Sequence, residues 1–136
     1  MIDLDFSGDR KSSQELIEEL STPADEGTYN LLITDAEVKP NKDANKYPSL
    51  KVTLKLTELE KKTVWKWFYL DTSNPISMAQ VREFLEAVYG ETMTGNVQLD
   101  AKDLIGRQVV GIVIQVPRRD DANKMQNDVD VFYPAA

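Results

Sequence analysis

Residues 50–57 read LKVTLKLT, and apolar and polar side chains alternate there without exception. The apolar positions are Leu50, Val52, Leu54 and Leu56, and the polar ones are Lys51, Thr53, Lys55 and Thr57. A period of two places successive side chains on opposite faces of a β-strand, whereas a helix repeats every 3.6 residues. The segment therefore predicts a strand with one buried face and one solvated, basic face, as in an antiparallel sheet.

Two further strands are predicted beside this one. Residues 28–40 (TYNLLITDAEVKP) have a β-rich composition and end at a proline. Their alternating apolar residues occupy odd positions up to Ile33 and even positions from Ala36 onward. This switch of face near Thr34 and Asp35 predicts a β-bulge or a sharp bend. After a short turn, residues 61–71 (KKTVWKWFYLD) predict a third strand that holds four aromatic residues within five positions.

A helix is predicted next, because the capping signals and the apolar spacing agree. Asn74 suits the N-cap, Pro75 the first helical position and Gly90 the left-handed position after the last turn. Its predicted buried stripe consists of Val81, Phe84, Leu85 and Val88.

The C-terminal part predicts one helical turn in residues 99–106, then an apolar strand in 107–117 and a fifth strand in 127–134. In this fifth strand Val129, Val131 and Tyr133 alternate with Asp128, Asp130 and Phe132. At the other end, residues 1–26 predict an appendage with a short helix. Ser12 and Glu15 have capping-box spacing, and Leu16, Ile17 and Leu20 form the apolar stripe.

The predicted element order is β-β-β-α-β-β, with residues 27–136 as the domain. This is the chain order of the OB-fold, a five-stranded, partly open Greek-key barrel. A bent first strand fits such a barrel, because closing it requires one strand to pass from one half-sheet into the other. Five strands and one helix are also compatible with an α+β sandwich.

Composition narrows the class of function. The 136 residues carry a net charge of -7, which argues against a surface coated with positive charge for duplex DNA or an anionic membrane. The chain has no cysteine and no histidine, so thiol chemistry and the usual zinc ligands are excluded. Asp120, Asp121, Asp128 and Asp130 leave a magnesium site as the remaining catalytic option. We expect a binding protein without a cofactor rather than an enzyme.

No apolar run approaches the length of a membrane span, and the polar, acidic N-terminus is unlike a secretory signal. We therefore expect an intracellular protein that does not bind membranes.

An OB-fold binds single-stranded nucleic acid across strands 2 and 3, between the loop joining strands 1 and 2 and the loop joining strands 4 and 5. Such a site needs cations for phosphates and flat side chains for bases. Including Lys61, ten of the 16 Lys and Arg residues lie in these segments. The candidate nucleic-acid-binding residues are Lys39, Lys42, Lys46, Tyr47, Lys51, Lys55, Trp65, Lys66, Trp67, Tyr69, Arg118, Arg119 and Lys124. Taken singly, these are ordinary residues for exposed loops and strand faces.

The four aromatic residues of the third strand cannot share one role, because a strand alternates its faces. Trp65, Trp67 and Tyr69 lie on one face, and Lys66 and Phe68 on the other. If Trp65 is opposite Lys55 the three rings face solvent, and if it is opposite Leu54 they face the core. The turn TELEKK has no glycine to fix the register. We favour the outward orientation, because the other would crowd two indoles into a small barrel.

Several segments together resemble a family of bacteriophage proteins of the domain-of-unknown-function 669 type. They are LDFSG (4–8), EGTYNLLITDAEVKPNKD (26–43), LKVTLKLTE (50–58), VWKWFYLD (64–71) and DLIGRQVVGIV (103–113). The resemblance implies an OB-fold single-stranded DNA-binding protein of phage replication or recombination, acting in the cytoplasm of the bacterial host. It places Trp65, Trp67, Phe68 and Asp71 on the family's aromatic strand. The short, nearly uncharged C-terminus departs from the acidic tail of many single-stranded DNA-binding proteins.

Three functions are thus open. The first is sequence-tolerant binding of single-stranded DNA, with phage replication or recombination proteins and a second copy of the chain as further partners. The second is a protein-interaction module that binds a host or phage protein, as an inhibitor or a DNA mimic. The third is a metal-dependent enzyme using the aspartates named above.

Overall fold

The computed structural model describes residues 1–7, 12–15, 22–43, 46–59 and 62–135. These residues form a mainly β fold with few short helices, as predicted. The elements are β1 (Gly27–Lys39), β2 (Ser49–Leu56), β3 (Thr63–Tyr69), α1 (Pro75–Tyr89), α2 (Ala101–Leu104), β4 (Gln108–Pro117) and β5 (Met125–Pro134). All five strands belong to one sheet in the order β3-β2-β1-β4-β5, and every neighbouring pair is antiparallel.

The central strand β1 bends, and the predicted bulge is confirmed. Its pairing with β2 passes from Ile33 opposite Leu54 to Asp35 opposite Thr53, which leaves Thr34 as the extra residue. The bulge allows Ile33 and Ala36 both to point into the core, although strict alternation would separate them. The first half of β1 pairs with β4 and the second half with β2, so the strand connects the two halves of a curved sheet.

The curvature brings the two edge strands, β3 and β5, close together. Lys66 Nζ on β3 lies 3.0 Å from Asp128 Oδ1 and 3.0 Å from the carbonyl oxygen of Val129 on β5. The sheet is therefore barrel-like, with a side chain rather than a backbone ladder joining its edges.

The core fills the inside of this curved sheet, and α1 covers one end. The buried apolar side of β2 is the alternating set predicted from the sequence. The predicted stripe of α1 is also buried, and Phe84 from it stacks on Phe68 with ring centroids 4.8 Å apart. Phe132 of β5 packs edge-on against Phe84 at 4.9 Å. These three rings attach the helix to both edge strands.

The ends of α1 confirm the predicted caps. The Asn74 side chain accepts hydrogen bonds from the backbone N–H groups of Ile76 and Ser77, at 3.0 and 3.2 Å. At the other end Gly90 has a φ of 68°, and its N–H donates to the carbonyl of Glu86 at 2.8 Å. A left-handed residue at this position favours glycine, which explains why the helix ends there.

A second bulge, in the β4–β5 pair, changes the expected pattern of β5. Ile112 pairs with Val131 and Val113 with Val129, so Asp130 is the extra residue. Val129 is consequently buried, whereas Val131 and Tyr133 are exposed and Phe132 faces α1.

The folded body begins before Gly27. Ala24 is only 3% exposed, and its N–H donates to Asn127 Oδ1 at 2.7 Å. Its carbonyl accepts from the side chains of Gln115 and Asn127, both at 3.0 Å. Residues 22–26 are therefore anchored on β4 and β5 rather than forming a loose linker.

Of the predicted N-terminal helix, residues 13–15 are helical, and the Glu15 N–H donates to Ser12 Oγ at 3.1 Å. The stripe residues Leu16, Ile17 and Leu20 lie outside the described residues. Within the described ranges, no helix is long and apolar enough to cross a membrane.

Candidate functional site

The register between β2 and β3 determines which face of β3 is exposed. Trp65 is opposite Thr53, Trp67 opposite Lys51 and Tyr69 opposite Ser49. The three rings are 56%, 53% and 37% exposed, so the favoured outward orientation is confirmed. The expected partner of Trp65, Lys55, was wrong by two residues and pairs with Thr63 instead. A shift of two residues preserves the face, which is why the orientation was still right.

Lys66 lies on the opposite face of β3 from the three rings. Its ammonium group is held by Asp128 and by the Val129 carbonyl, and its side chain is 22% exposed. This pairing compensates the charge that would otherwise be costly on the inner face. Lys66 therefore links the edge strands and does not join the lysines beside the rings.

Two lysine side chains lie beside the ring of Trp67. Lys51 Nζ lies 5.4 Å and Lys39 Nζ 5.8 Å from the ring centroid, both within the range of cation–π attraction. Next to it, the Tyr69 hydroxyl accepts a hydrogen bond from the Tyr47 N–H at 3.2 Å, and the two tyrosine rings meet edge-on at 6.2 Å. The β1–β2 connection thus abuts the C-terminal end of β3.

A groove of about 1270 Å³ runs between β3 and the hairpin that joins β4 to β5. We call it the aromatic groove. Its predicted residues are Lys51, Trp65, Lys66, Trp67, Tyr69, Arg118 and Arg119. The groove therefore gathers seven of the thirteen candidates into one place.

The other six candidates do not line the groove. Lys39 and Tyr47 contact its rings from outside, as described above. Lys42 and Lys46 are exposed in the β1–β2 connection, Lys55 is exposed on β2, and Lys124 is exposed in the hairpin. Lys61 lies outside the described residues.

Several groove residues were missed by sequence reasoning. Lys62, Thr63, Gln126 and Asn127 line it, as does the N-terminal entry of the chain at Thr22 and Pro23. Lys62 could have been found, because it adjoins the aromatic segment in the sequence. The entry segment could not, because only the three-dimensional fold places it beside β3.

The cations that line the groove differ in whether a carboxylate compensates their charge. Arg118 forms a two-point ion pair with Asp120, with Nε 2.9 Å from Oδ1. The hydrogen bonds from Arg118 lower the pKa of Asp120, so this carboxylate stays ionised. Lys51 and Arg119 have no ion-pair partner within 4.0 Å among the described residues. These two are the cations best placed to meet an anionic ligand.

The outer surface next to the groove is divided by charge. Glu37 on β1 is opposite Lys51 on β2, which is opposite Trp67 on β3. Asp35, Thr53 and Trp65 form the neighbouring row. Successive strands therefore present an acidic line (Asp35 and Glu37), a basic line and an aromatic line. Lys39 at the end of β1 lies 3.3 Å from Glu37 and partly offsets its charge, so β1 repels an anion mainly at Asp35.

The aspartates considered for a metal site lie apart or are engaged otherwise. Asp120 is paired with Arg118 and Asp128 with Lys66. Across the part of the chain that the structure describes, no three acidic, histidine or cysteine side chains are grouped to hold a metal ion.

Comparison with protein-family models gives no match, and comparison with curated proteins gives no significant match. The resemblance to the phage family stays a prediction.

Proposed function

We propose that this chain is a sequence-tolerant single-stranded DNA-binding protein, acting in phage DNA replication or recombination in the cytoplasm of the bacterial host. The observation that carries the proposal is the aromatic groove, where three exposed rings in one row face a hairpin bearing Arg118 and Arg119. Bases stack on such rings whatever their identity, and the cations neutralise phosphates.

The spacing of the rings favours a single strand over a duplex. Residues two apart on a strand are about 6.6 Å apart, roughly twice the 3.4 Å between stacked bases of one DNA strand. Neighbouring bases can reach neighbouring rings only when they are unstacked, which a duplex does not allow. The acidic line on β1 also opposes the broad contact that a duplex would make.

We propose further that the barrel-like sheet is an OB-fold. The strand order, the bent β1 and the approach of β3 to β5 support this assignment. So does α1, which follows β3 in the chain and packs Phe84 between the two edge strands. In such a fold the aromatic groove is the expected ligand site.

The proposal can be tested by the anisotropy of a labelled oligo-dT. Trp65→Ala and Trp67→Ala should each weaken binding about 5- to 150-fold, because one stacked base is worth ~1–3 kcal/mol. Tyr133→Ala is the matched control, since Tyr133 is an exposed ring on another face. Lys51→Gln should weaken binding, whereas Lys55→Gln, on the same strand and face, should not.

Absence of oligo-dT binding by the wild type at low salt would refute the proposal. A stoichiometric protein partner that stays bound after nuclease treatment would then favour the protein-interaction module.

A further inference from the structure

The N-terminal arm, residues 1–7, has the composition of a ligand for the aromatic groove. It reads MIDLDFS, so Ile2, Leu4 and Phe6 alternate with Asp3 and Asp5. The three apolar side chains are 84%, 69% and 84% exposed. In an extended chain, alternation puts the apolar residues on one side and both carboxylates on the other. Three large apolar side chains next to one another in solvent favour burial against an apolar surface.

The groove offers the complementary surface. Its rings Trp65 and Trp67 are apolar and more than half exposed, and they lie within one strand spacing of Lys51. Arg119 lines the facing hairpin. An extended segment lying along β3 can therefore place apolar side chains against the indoles and carboxylates toward the cations.

The arm is connected to the folded body at one end of the groove. Thr22 and Pro23 line one end of the groove, and Lys62 Nζ donates to the Thr22 carbonyl there. The 14 residues 8–21 separate this point from the arm. With residues 13–15 helical, they reach at most about 43 Å, more than the ~20 Å length of β3. Because the arm is joined covalently to this point, its docking is an intramolecular event that does not depend on protein concentration.

A competing surface on the same molecule fits the arm less well. Val131 and Tyr133 form an exposed apolar patch with the outward side chains of β4. This patch adjoins Asp130, and Glu58 is bound nearby to Asn30, which is opposite Val110. Those carboxylates repel Asp3 and Asp5. The groove also has two carboxylates, Asp120 and Asp128, but each is paired with a cation there, so charge favours the groove.

We propose that the N-terminal arm docks in the aromatic groove of its own chain and competes there with single-stranded nucleic acid. The competition rests on the proposed function, whereas the docking does not. Nucleic acid must displace the arm to bind, so the arm lowers the apparent affinity by the fraction of molecules whose groove is empty.

Docking can be measured without nucleic acid, because the chain has two tryptophans and both line the groove. Their indole N–H resonances should shift when the full-length chain carries Leu4→Ser and Phe6→Ser. The shift should not depend on protein concentration. Coincident indole resonances in wild type and variant would overturn the proposal, and a shift that depends on concentration would overturn docking within one chain.

Competition between the arm and nucleic acid is tested by measuring the affinity for oligo-dT of an arm variant and of a charge-matched control variant. Asp3→Asn with Asp5→Asn should tighten binding roughly threefold or more, because the occupied fraction falls. Glu83→Gln with Glu91→Gln also removes two negative charges, from exposed positions within and just after α1, and should have a smaller effect. Equal tightening in both double variants would overturn competition. Indole shifts without any oligo-dT binding would reject the proposed function and keep the docking.

Discussion

Gly111, at the residue scale, is required by close packing rather than by backbone conformation. It lies on β4 opposite Tyr29 of β1 and Phe132 of β5. A Cβ atom at this position would lie 2.6 Å from Leu31 Cδ1 and 2.9 Å from Val129 Cγ1. Both distances are below normal van der Waals contact, so the core has closed around the missing side chain. In an interior packed this densely, adding even one methyl group displaces the neighbouring side chains.

Gly111→Ala should lower the free energy of unfolding by about 1–3 kcal/mol, because Leu31 and Val129 must move out of their packed positions. Gly27→Ala is the matched control: its Cβ would meet the Tyr29 ring at 3.7 Å, an ordinary contact. That control should be neutral or slightly stabilising. Urea unfolding of the two variants beside wild type checks this. Equal stability of both variants would contradict the packing argument.

The junction of α1 and α2, at the scale of elements, depends on three side chains. The Tyr89 hydroxyl donates to Asp103 Oδ2 at 2.6 Å, and Arg107 Nη2 lies 3.1 Å from the same oxygen. The Arg107 guanidinium also lies 4.6 Å from the Tyr89 ring centroid. Burial of the phenol, followed by its hydrogen bond to Asp103, raises the pKa of Tyr89 to about 12. These contacts attach the last turn of α1 to the segment leading into β4.

Because the pKa of Tyr89 is raised, we expect the folded protein to lose stability at alkaline pH. Between pH 10 and pH 12 the unfolded chain releases the Tyr89 proton while the folded chain keeps it, so the free energy of unfolding falls across that range. Tyr89→Phe should reduce this fall, since phenylalanine has no proton to lose. Urea midpoints at pH 9, 10 and 11 for the two proteins measure the difference. Parallel pH profiles would show that Tyr89 is not responsible.

Sequence reasoning succeeded for elements whose signals are local. The alternation of residues 50–57 and the caps at Asn74 and Gly90 lie within a single strand or helix, so the chain itself specifies them. It was less exact for the β2–β3 register, because the turn between them contains no residue that fixes its length. The face of Trp65 was still predicted correctly, because overcrowding by two indoles depends on volume rather than on register.

Charge is unevenly distributed over the whole molecule, although its net value is -7. The acidic line of β1 ends where the basic line of β2 begins, and the aromatic groove lies beyond both. We therefore expect the local cations to determine which ligand the groove accepts, and the net charge to oppose contact with a long polyanion elsewhere. This separation could not be predicted from composition, because it arises from how the strands are ordered in the sheet.

The salt dependence of binding should reflect these few cations. With Lys51 and Arg119 meeting phosphates, the slope of log affinity against log salt should be about -1.4 for a single strand. Lys51→Gln should make it shallower by about 0.7, and Lys55→Gln should leave it unchanged. Titrations of oligo-dT at four salt concentrations give the slope, with duplex of the same length as a reference. A duplex bound as tightly as the single strand would contradict the proposed geometry.

The two sides of the groove come from distant parts of the chain, and this limited the prediction of the site. Lys66 and Asp128 are 62 residues apart, and nothing in either segment marks the other as its partner. The entry of the chain at Thr22 is likewise brought to β3 only by the anchoring of Ala24 on β4 and β5. The aromatic strand could therefore be recognised from its own sequence, but not the wall opposite it.

The inward-pointing ammonium group of Lys66 also affects how the sheet edge can associate with other molecules at high protein concentration. An exposed strand edge invites the same edge of another molecule to pair with it, and extended aggregates begin in this way. A charged side chain directed into the edge opposes such pairing, because a strand inserted between β3 and β5 would separate the Lys66 ammonium from Asp128 and cover both charges unpaired. We therefore expect the lysine that holds β3 to β5 in one molecule also to oppose edge-to-edge pairing between molecules of this acidic protein.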